Sequence, residues 1–157
     1  MTTHPPGFDW DARVRVVPGI NIFVHDSHAL PAASLRASVL GLVTVAEMSD
    51  GPAMKRGELL RYLAESAWYP TALLPSQGMR WESIDETSAR ATLTDGARTA
   101  SMDFRFGSDD PIETVWSASR PRSAGESAPW LCWLGGYAVS DGMRIPLDGR
   151  SRMAVPR

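Results

Sequence analysis

Three charged residues stand at helical spacing in the segment GELLRYLAESAW. Glu58 precedes Arg61 by three residues and Arg61 precedes Glu65 by four, so they can form ion pairs along one helix face beside Trp68. A carboxylate held among aromatic rings has a raised pKa and can act as a general acid or base. The simpler interpretation, which we prefer, is a solvent-exposed charged face with Trp68 packed on the chain that follows.

A further carboxylate, Asp103, lies inside the strand-like segment SMDFRF. Side chains alternate between the two faces of a strand, so Met102 and Phe104 point one way and Asp103 the other. The preferred interpretation places Asp103 on a solvated face, paired across the sheet with Arg80 or Arg90. The alternative places it in a concave pocket as a second acid.

A pocket built from these elements would have Glu65, Arg61 and Asp103 as its polar centre. The aromatic residues expected to line it are Tyr62, Trp68, Tyr69, Trp81, Phe104, Trp10 and Trp116. Ligand sites are mostly apolar with a few fixed polar groups. The sequence therefore predicts a module that binds an apolar or amphipathic small molecule.

The alternative function is a cofactor-independent enzyme that catalyses proton transfer, such as an isomerase, a cyclase or an addition-elimination enzyme. Glu65 or Asp103 would act as the acid or base, with Arg61 or Tyr62 as the polarising partner. Binding is ranked first because no catalytic constellation can be recognised in the sequence.

Other residue types with chemical potential receive simpler interpretations. His25 and His28 are three apart, which places them on opposite faces of a strand, and no third ligand is close in sequence. Cys132, the only cysteine, stands between two tryptophans and is expected to be a small core residue. Motifs such as GxSxG, GxGxxG and CxxC are missing from the sequence. We predict no metal and no cofactor.

The composition indicates one globular domain over residues 1–157. Sixteen basic and 18 acidic residues give a net charge of -2, which favours no nucleic-acid partner. No apolar run reaches the length of a membrane span, and the N-terminus lacks the apolar region of a secretory signal. We expect a cytoplasmic protein.

Alternating apolar and polar residues predict strands over residues 8–16 and 20–24, and a β-branched run predicts another over residues 36–47. Asp50-Gly51-Pro52 introduces a helix over about residues 53–69, with Leu59, Leu60 and Leu63 facing the core. Four short strands with brief turns follow, then a loop over residues 121–129 and further strands. The predicted fold is mainly β (α+β), a curved antiparallel sheet or incomplete barrel of about seven or eight strands with one main helix.

The segments GELLRYLAESAWYPTALLPS, RWESIDETSARATLTDG, SMDFRF and PW…GY…DGMRIP resemble an uncharacterised bacterial family of domains of unknown function. The resemblance covers most of the chain. It implies a fold similar to the lipoprotein-localisation-factor type, a strongly curved incomplete barrel closed by helix and loops, and it brings no established reaction.

Members of that family have strand-like sequence beyond both ends of this chain, so we expect open sheet edges here. The segment PWLCWLGGYAV is more apolar than the polar strand expected at that place. An open apolar edge promotes association. We therefore expect a homodimer formed through that strand or its sheet edge.

Overall fold

The computed structural model describes residues 2–3, 6–17, 20–29, 32–39, 43–49, 51–123 and 126–154. It is mainly β, with one main helix, as the sequence predicts. Within the described ranges, the strands divide among a five-stranded, a six-stranded and a two-stranded sheet. In the described residues, no helix is long and apolar enough to cross a membrane.

Five N-terminal strands pair with their sequence neighbours in an antiparallel sheet. They are β1 (Thr2–Thr3), β2 (Pro6–Val17), β3 (Ile20–Ala29), β4 (Ala32–Val39) and β5 (Val43–Ser49). The prediction of a single strand over residues 36–47 is wrong, because β4 and β5 pair with each other and Val39 lies opposite Val43. Leu-Gly-Leu separates the two strands in the sequence, and Gly41 is its only residue of a type common in turns, a weak signal inside an apolar run.

The six-stranded sheet has the order β13-β10-β9-β8-β7-β6 and is antiparallel throughout. Its strands are β6 (Arg80–Asp85), β7 (Ser88–Asp95), β8 (Arg98–Phe106), β9 (Ile112–Ser123), β10 (Glu126–Gly135) and β13 (Asp148–Met153). The outer strands β6 and β13 do not pair with each other, so this sheet is open. A separate hairpin consists of β11 (Ala138–Ser140) and β12 (Met143–Ile145).

The predicted loop over residues 121–129 is mostly strand, because β9 continues to Ser123 and β10 begins at Glu126. Pro121 and Pro129 suggested a loop, since proline cannot donate a backbone hydrogen bond to a sheet. The pairing of β9 with β10 shifts register between Glu126 and Ser127 and again next to Pro129. Such irregularities are where a sheet accommodates proline.

Helix α1 (Pro52–Glu65) begins after Gly51, with proline in its first turn. It ends four residues before the predicted Tyr69, and the chain continues as short 3₁₀ turns, Ser66–Trp68, Pro70–Leu73 and Pro75–Gln77. The indole Nε1 of Trp81 donates to the carbonyl oxygen of Leu73 at 2.9 Å, which ties these turns to β6.

The helix is buried around most of its circumference. Leu59, Leu60 and Leu63 are fully buried, as predicted, but Glu58 and Tyr62 are buried as well. The helix contacts β7, β8 and β9 and also approaches β2 and β4. The preferred interpretation of a solvent-exposed charged face is therefore wrong for Glu58.

Candidate functional site

A cleft of about 180 Å³ lies where the end of α1 meets β10 and β13. Trp130, Cys132 and Leu134 alternate along β10 and are buried on the side that faces the helix. On β13, Gly149 lies opposite Leu134 and Ser151 opposite Cys132, which extends the same surface. Ala64, Glu65 and Trp68 line the cleft from the helix side, and Trp133 and Arg150 complete the lining.

Trp68 reaches β13 at a position without a side chain. A Cβ atom built on Gly149 would lie 2.6 Å from Cη2 of Trp68 and 2.7 Å from its Cζ2. Both distances are far below van der Waals contact, so the indole edge occupies space that alanine would need. Glycine at position 149 therefore allows the indole of Trp68 to lie against β13, where it forms one wall of the cleft.

Glu65 contributes a carboxylate to the cleft and is paired within the helix. Arg61 Nε donates to Glu65 Oε1 at 2.6 Å, an i,i+4 pair, and the two side chains are 16% and 37% exposed for Arg61 and Glu65 respectively. The ion pair anticipated from their spacing is present. It holds the carboxylate at the boundary between the cleft and solvent.

A buried carboxylate lies two turns before Glu65 on the same helix. Glu58 is 4% exposed, and its Oε2 has no hydrogen-bond partner in the part of the chain that the structure describes. Burial raises the pKa of Glu58 to about 7, the charge of Arg120 opposes the shift, and the charge of Glu65 adds to it. Glu58 can therefore exchange a proton near neutral pH.

Arg120, on β9, is the cation that faces this carboxylate. Its guanidinium carbon lies 4.0 Å from the ring centroid of Trp130, a cation–π contact. Burial lowers the pKa of Arg120 and the charge of Glu58 raises it. Arginine stays protonated in such surroundings, so Arg120 is a permanent positive charge behind a cleft tryptophan.

Burial favours the protonated form of the thiol on the cleft floor. Burial raises the pKa of Cys132 to about 12, although the charge of Arg120 opposes the shift. The thiolate is the nucleophilic form of cysteine. Cys132 is therefore a small core residue, as expected from its place between two tryptophans.

The whole-chain comparison agrees with the sequence resemblance. Residues 1–155 match the family of unknown function DUF6920. The chain belongs to that family. No curated protein and no solved structure matches it. The likeness to lipoprotein-localisation factors and the bacterial origin stay predictions.

In this DUF6920 member, Asp103 lies away from the helix. Its two carboxylate oxygens accept hydrogen bonds from Arg90 at 2.6 and 3.0 Å, the cross-strand pair expected for a solvated face. Trp116 lies directly opposite Asp103 on β9 and is 39% exposed on the same face. Neither residue reaches the cleft.

The predicted aromatic residues are dispersed. Tyr62 is in the core, and its hydroxyl group has no hydrogen-bond partner within the described residues. Trp81 and Phe104 form an edge-to-face pair, 5.2 Å between centroids, on β6 and β8. Tyr69 is 49% exposed. The side chain of Trp10 lies outside the described part of the structure. Of the residues predicted to form the pocket, Glu65 and Trp68 line the cleft. Arg61 is linked to it by the hydrogen bond that it donates to Glu65.

Several residues of the observed site were not predicted as site residues. No local signal marks the burial of Glu58, because its helix carries other charged residues such as Lys55 and Arg56 and the burial comes from packing against several strands. The sequence marks Trp130 only as part of an apolar strand. Arg120 and Gly149 carry no local signal, because their roles depend on strand register.

One cluster of metal-binding residue types occurs on the N-terminal sheet. Asp9, Asp11 and His25 lie together at the surface, with His25 Nδ1 3.0 Å from Asp11 Oδ1 and 3.6 Å from Asp9 Oδ1. His25 lies directly opposite Asp11 in the pairing of β2 with β3. The cross-strand pair accounts for this arrangement without an ion.

Proposed function

We propose that this protein binds a small apolar or amphipathic molecule in the cleft between α1, β10 and β13. The observation that carries the proposal is the lining itself, in which Trp68, Trp130 and Leu134 supply apolar surface and Glu65 supplies one fixed polar group. This combination is typical of ligand sites. The Arg61 pair positions the Glu65 carboxylate before any ligand arrives.

Removing one aromatic wall is expected to weaken binding. Trp68→Leu should raise the Kd of a small aromatic or aliphatic probe about tenfold, because an aromatic contact contributes about 0.5–1.5 kcal/mol beyond its buried area. Calorimetric titration with p-cresol, toluene and 1-pentanol measures the change. Trp116→Leu, on the opposite sheet face, is the matched control and should leave the Kd unchanged.

The proposal fails if none of the three probes binds the unaltered protein. It also fails if Trp116→Leu weakens binding as much as Trp68→Leu does. Circular dichroism and thermal unfolding of both variants show whether a loss of binding reflects a loss of fold.

We propose an acid–base enzyme without a cofactor as the second candidate. The observation that favours it is the carboxyl group of Glu58, which is buried two helical turns from the cleft residue Glu65 and whose pKa of about 7 suits proton transfer at neutral pH. NMR spectra of an enolisable ketone such as 2-pentanone, incubated with the protein in D₂O, should show exchange of its α-protons for deuterium, and Glu58→Gln should abolish the exchange. Turnover that is unaffected by Glu58→Gln and by Glu65→Gln would remove both carboxyl groups from the mechanism.

We also propose that two copies associate and that the protein resides in the cytoplasm. β10 lies inside its sheet, and of the two outer strands, β6 and β13, the one beside β10 is β13, so we propose β13 as the edge that pairs. Light scattering should give the mass of a dimer, and a monomer mass at high micromolar concentration would contradict this. Cell fractionation tests the location.

A further inference from the structure

We infer that the cleft takes an uncharged molecule with one flat ring and one hydrogen-bond donor, its ring against Trp68 and its donor on Glu65. Simple phenols belong to this class. The inference rests on the proposed function and adds the chemistry of the ligand to it.

The size of the cleft sets the size of the ligand. Pockets for drug-sized ligands enclose about 300–1,000 Å³, and an engineered apolar cavity of about 150 Å³ in another protein binds benzene. The cleft, at about 180 Å³, lies close to the second case. A single ring with a small substituent fills this volume.

The walls favour a rigid flat group over a flexible chain. Trp68 packs against Gly149, and the guanidinium carbon of Arg120 lies 4.0 Å from the ring centroid of Trp130. Both indole groups are therefore held in place before a ligand binds. Aromatic rings gain from offset or edge-to-face contact with such surfaces. An alkyl chain would lose rotational freedom on entering, which a ring does not.

The charges around the cleft favour an uncharged ligand with a donor. Glu65 Oε1 accepts from Arg61, and a carboxylate has further lone pairs for a second donor. Arg61, Arg120 and Arg150 oppose an organic cation, and the carboxylate of Glu65 opposes an anion. The apolar floor formed by Trp130 and Leu134 makes any net charge costly to bury.

Five single-group probes test this inference by calorimetric titration: p-cresol, toluene, 4-methylbenzoate, 4-methylbenzylamine and 1-pentanol. We expect p-cresol to bind at least about tenfold more tightly than each of the others, since a hydrogen bond to a charged group contributes about 1.5–3 kcal/mol. Glu65→Ala should remove the advantage of p-cresol over toluene. Glu86→Ala, in the exposed turn between β6 and β7, is the control and should preserve the advantage.

A pair of glycine variants tests the aromatic wall. Gly149→Ala should weaken p-cresol and toluene together by about tenfold, because the new methyl group displaces Trp68. Gly135→Ala should change neither Kd, since a Cβ at position 135 meets no atom within 4 Å. If Gly149→Ala fails to fold, Trp68→Leu serves as the second variant for the same comparison.

The outcomes separate this inference from the proposed function. Tighter binding of toluene, 1-pentanol or either charged probe than of p-cresol overturns the ligand class and leaves the cleft as a binding site. An advantage of p-cresol that survives Glu65→Ala also overturns it. Absence of binding by all five probes overturns both proposals.

Discussion

Glu58→Gln is expected to change the free energy of unfolding by different amounts at pH 8 and at pH 4. Relative to the unaltered chain, the variant should be more stable at pH 8 by about 3 kcal/mol more than at pH 4. The folded protein keeps the proton of Glu58 up to a pKa of about 7, whereas the unfolded chain releases it near 4.5. Between these values the folded state binds more protons, so rising pH favours unfolding. The difference of about 2.5 pKa units corresponds to about 3 kcal/mol.

Urea unfolding at pH 4 and pH 8 measures this effect as a difference of differences. The free energy of unfolding of the unaltered protein is compared with that of Glu58→Gln at each pH, which cancels the titration of other groups. Glu86→Gln, an exposed substitution, should show no such pH-dependent difference. Equal effects of Glu58→Gln at both pH values would show that Glu58 titrates normally.

Leu63→Ala is expected to lower the free energy of unfolding by about 2–5 kcal/mol. Leu63 is fully buried where α1 lies on the six-stranded sheet, so alanine would lose the transfer energy of the removed carbons and leave a cavity. The matched control is Leu74→Ala, in the turns after the helix, where the side chain is 48% exposed. Its effect should stay within about 0.5 kcal/mol.

Urea unfolding at a single pH is sufficient for this pair. A loss below about 0.5 kcal/mol for Leu63→Ala would place the residue at the surface and contradict the packing of α1. Equal losses for the two variants would indicate that the measurement does not report the core.

The strands between residues 80 and 106 could be predicted because their signals are local. SMDFRF alternates strictly, and Asp95-Gly96 marks the turn between β7 and β8, where Gly96 has a φ of +59°. Arg90 was one of two partners proposed for Asp103, and register selects it. By contrast, the reversal between β4 and β5 has no polar turn residues, so local patterns missed it.

The charged cluster was harder to predict because it depends on contacts between distant parts of the chain. Helical spacing predicted the Arg61–Glu65 pair correctly. It could not show that Glu58 is buried, since this follows from packing of α1 by several strands at once. Arg120 approaches Glu58 from β9. Because Pro121 follows directly, the sequence alone does not show that the strand continues through Arg120.

The different surroundings of the tryptophans give the protein an internal optical signal. Trp130 is buried under a cation and borders the cleft, whereas Trp116 is open to water on the opposite face. Indole emission shifts to shorter wavelengths in dry surroundings, so the two residues contribute different parts of the fluorescence spectrum. Occupancy of the cleft by a molecule that does not absorb should therefore alter the emission of Trp130 and Trp68 and leave the emission of Trp116 unchanged.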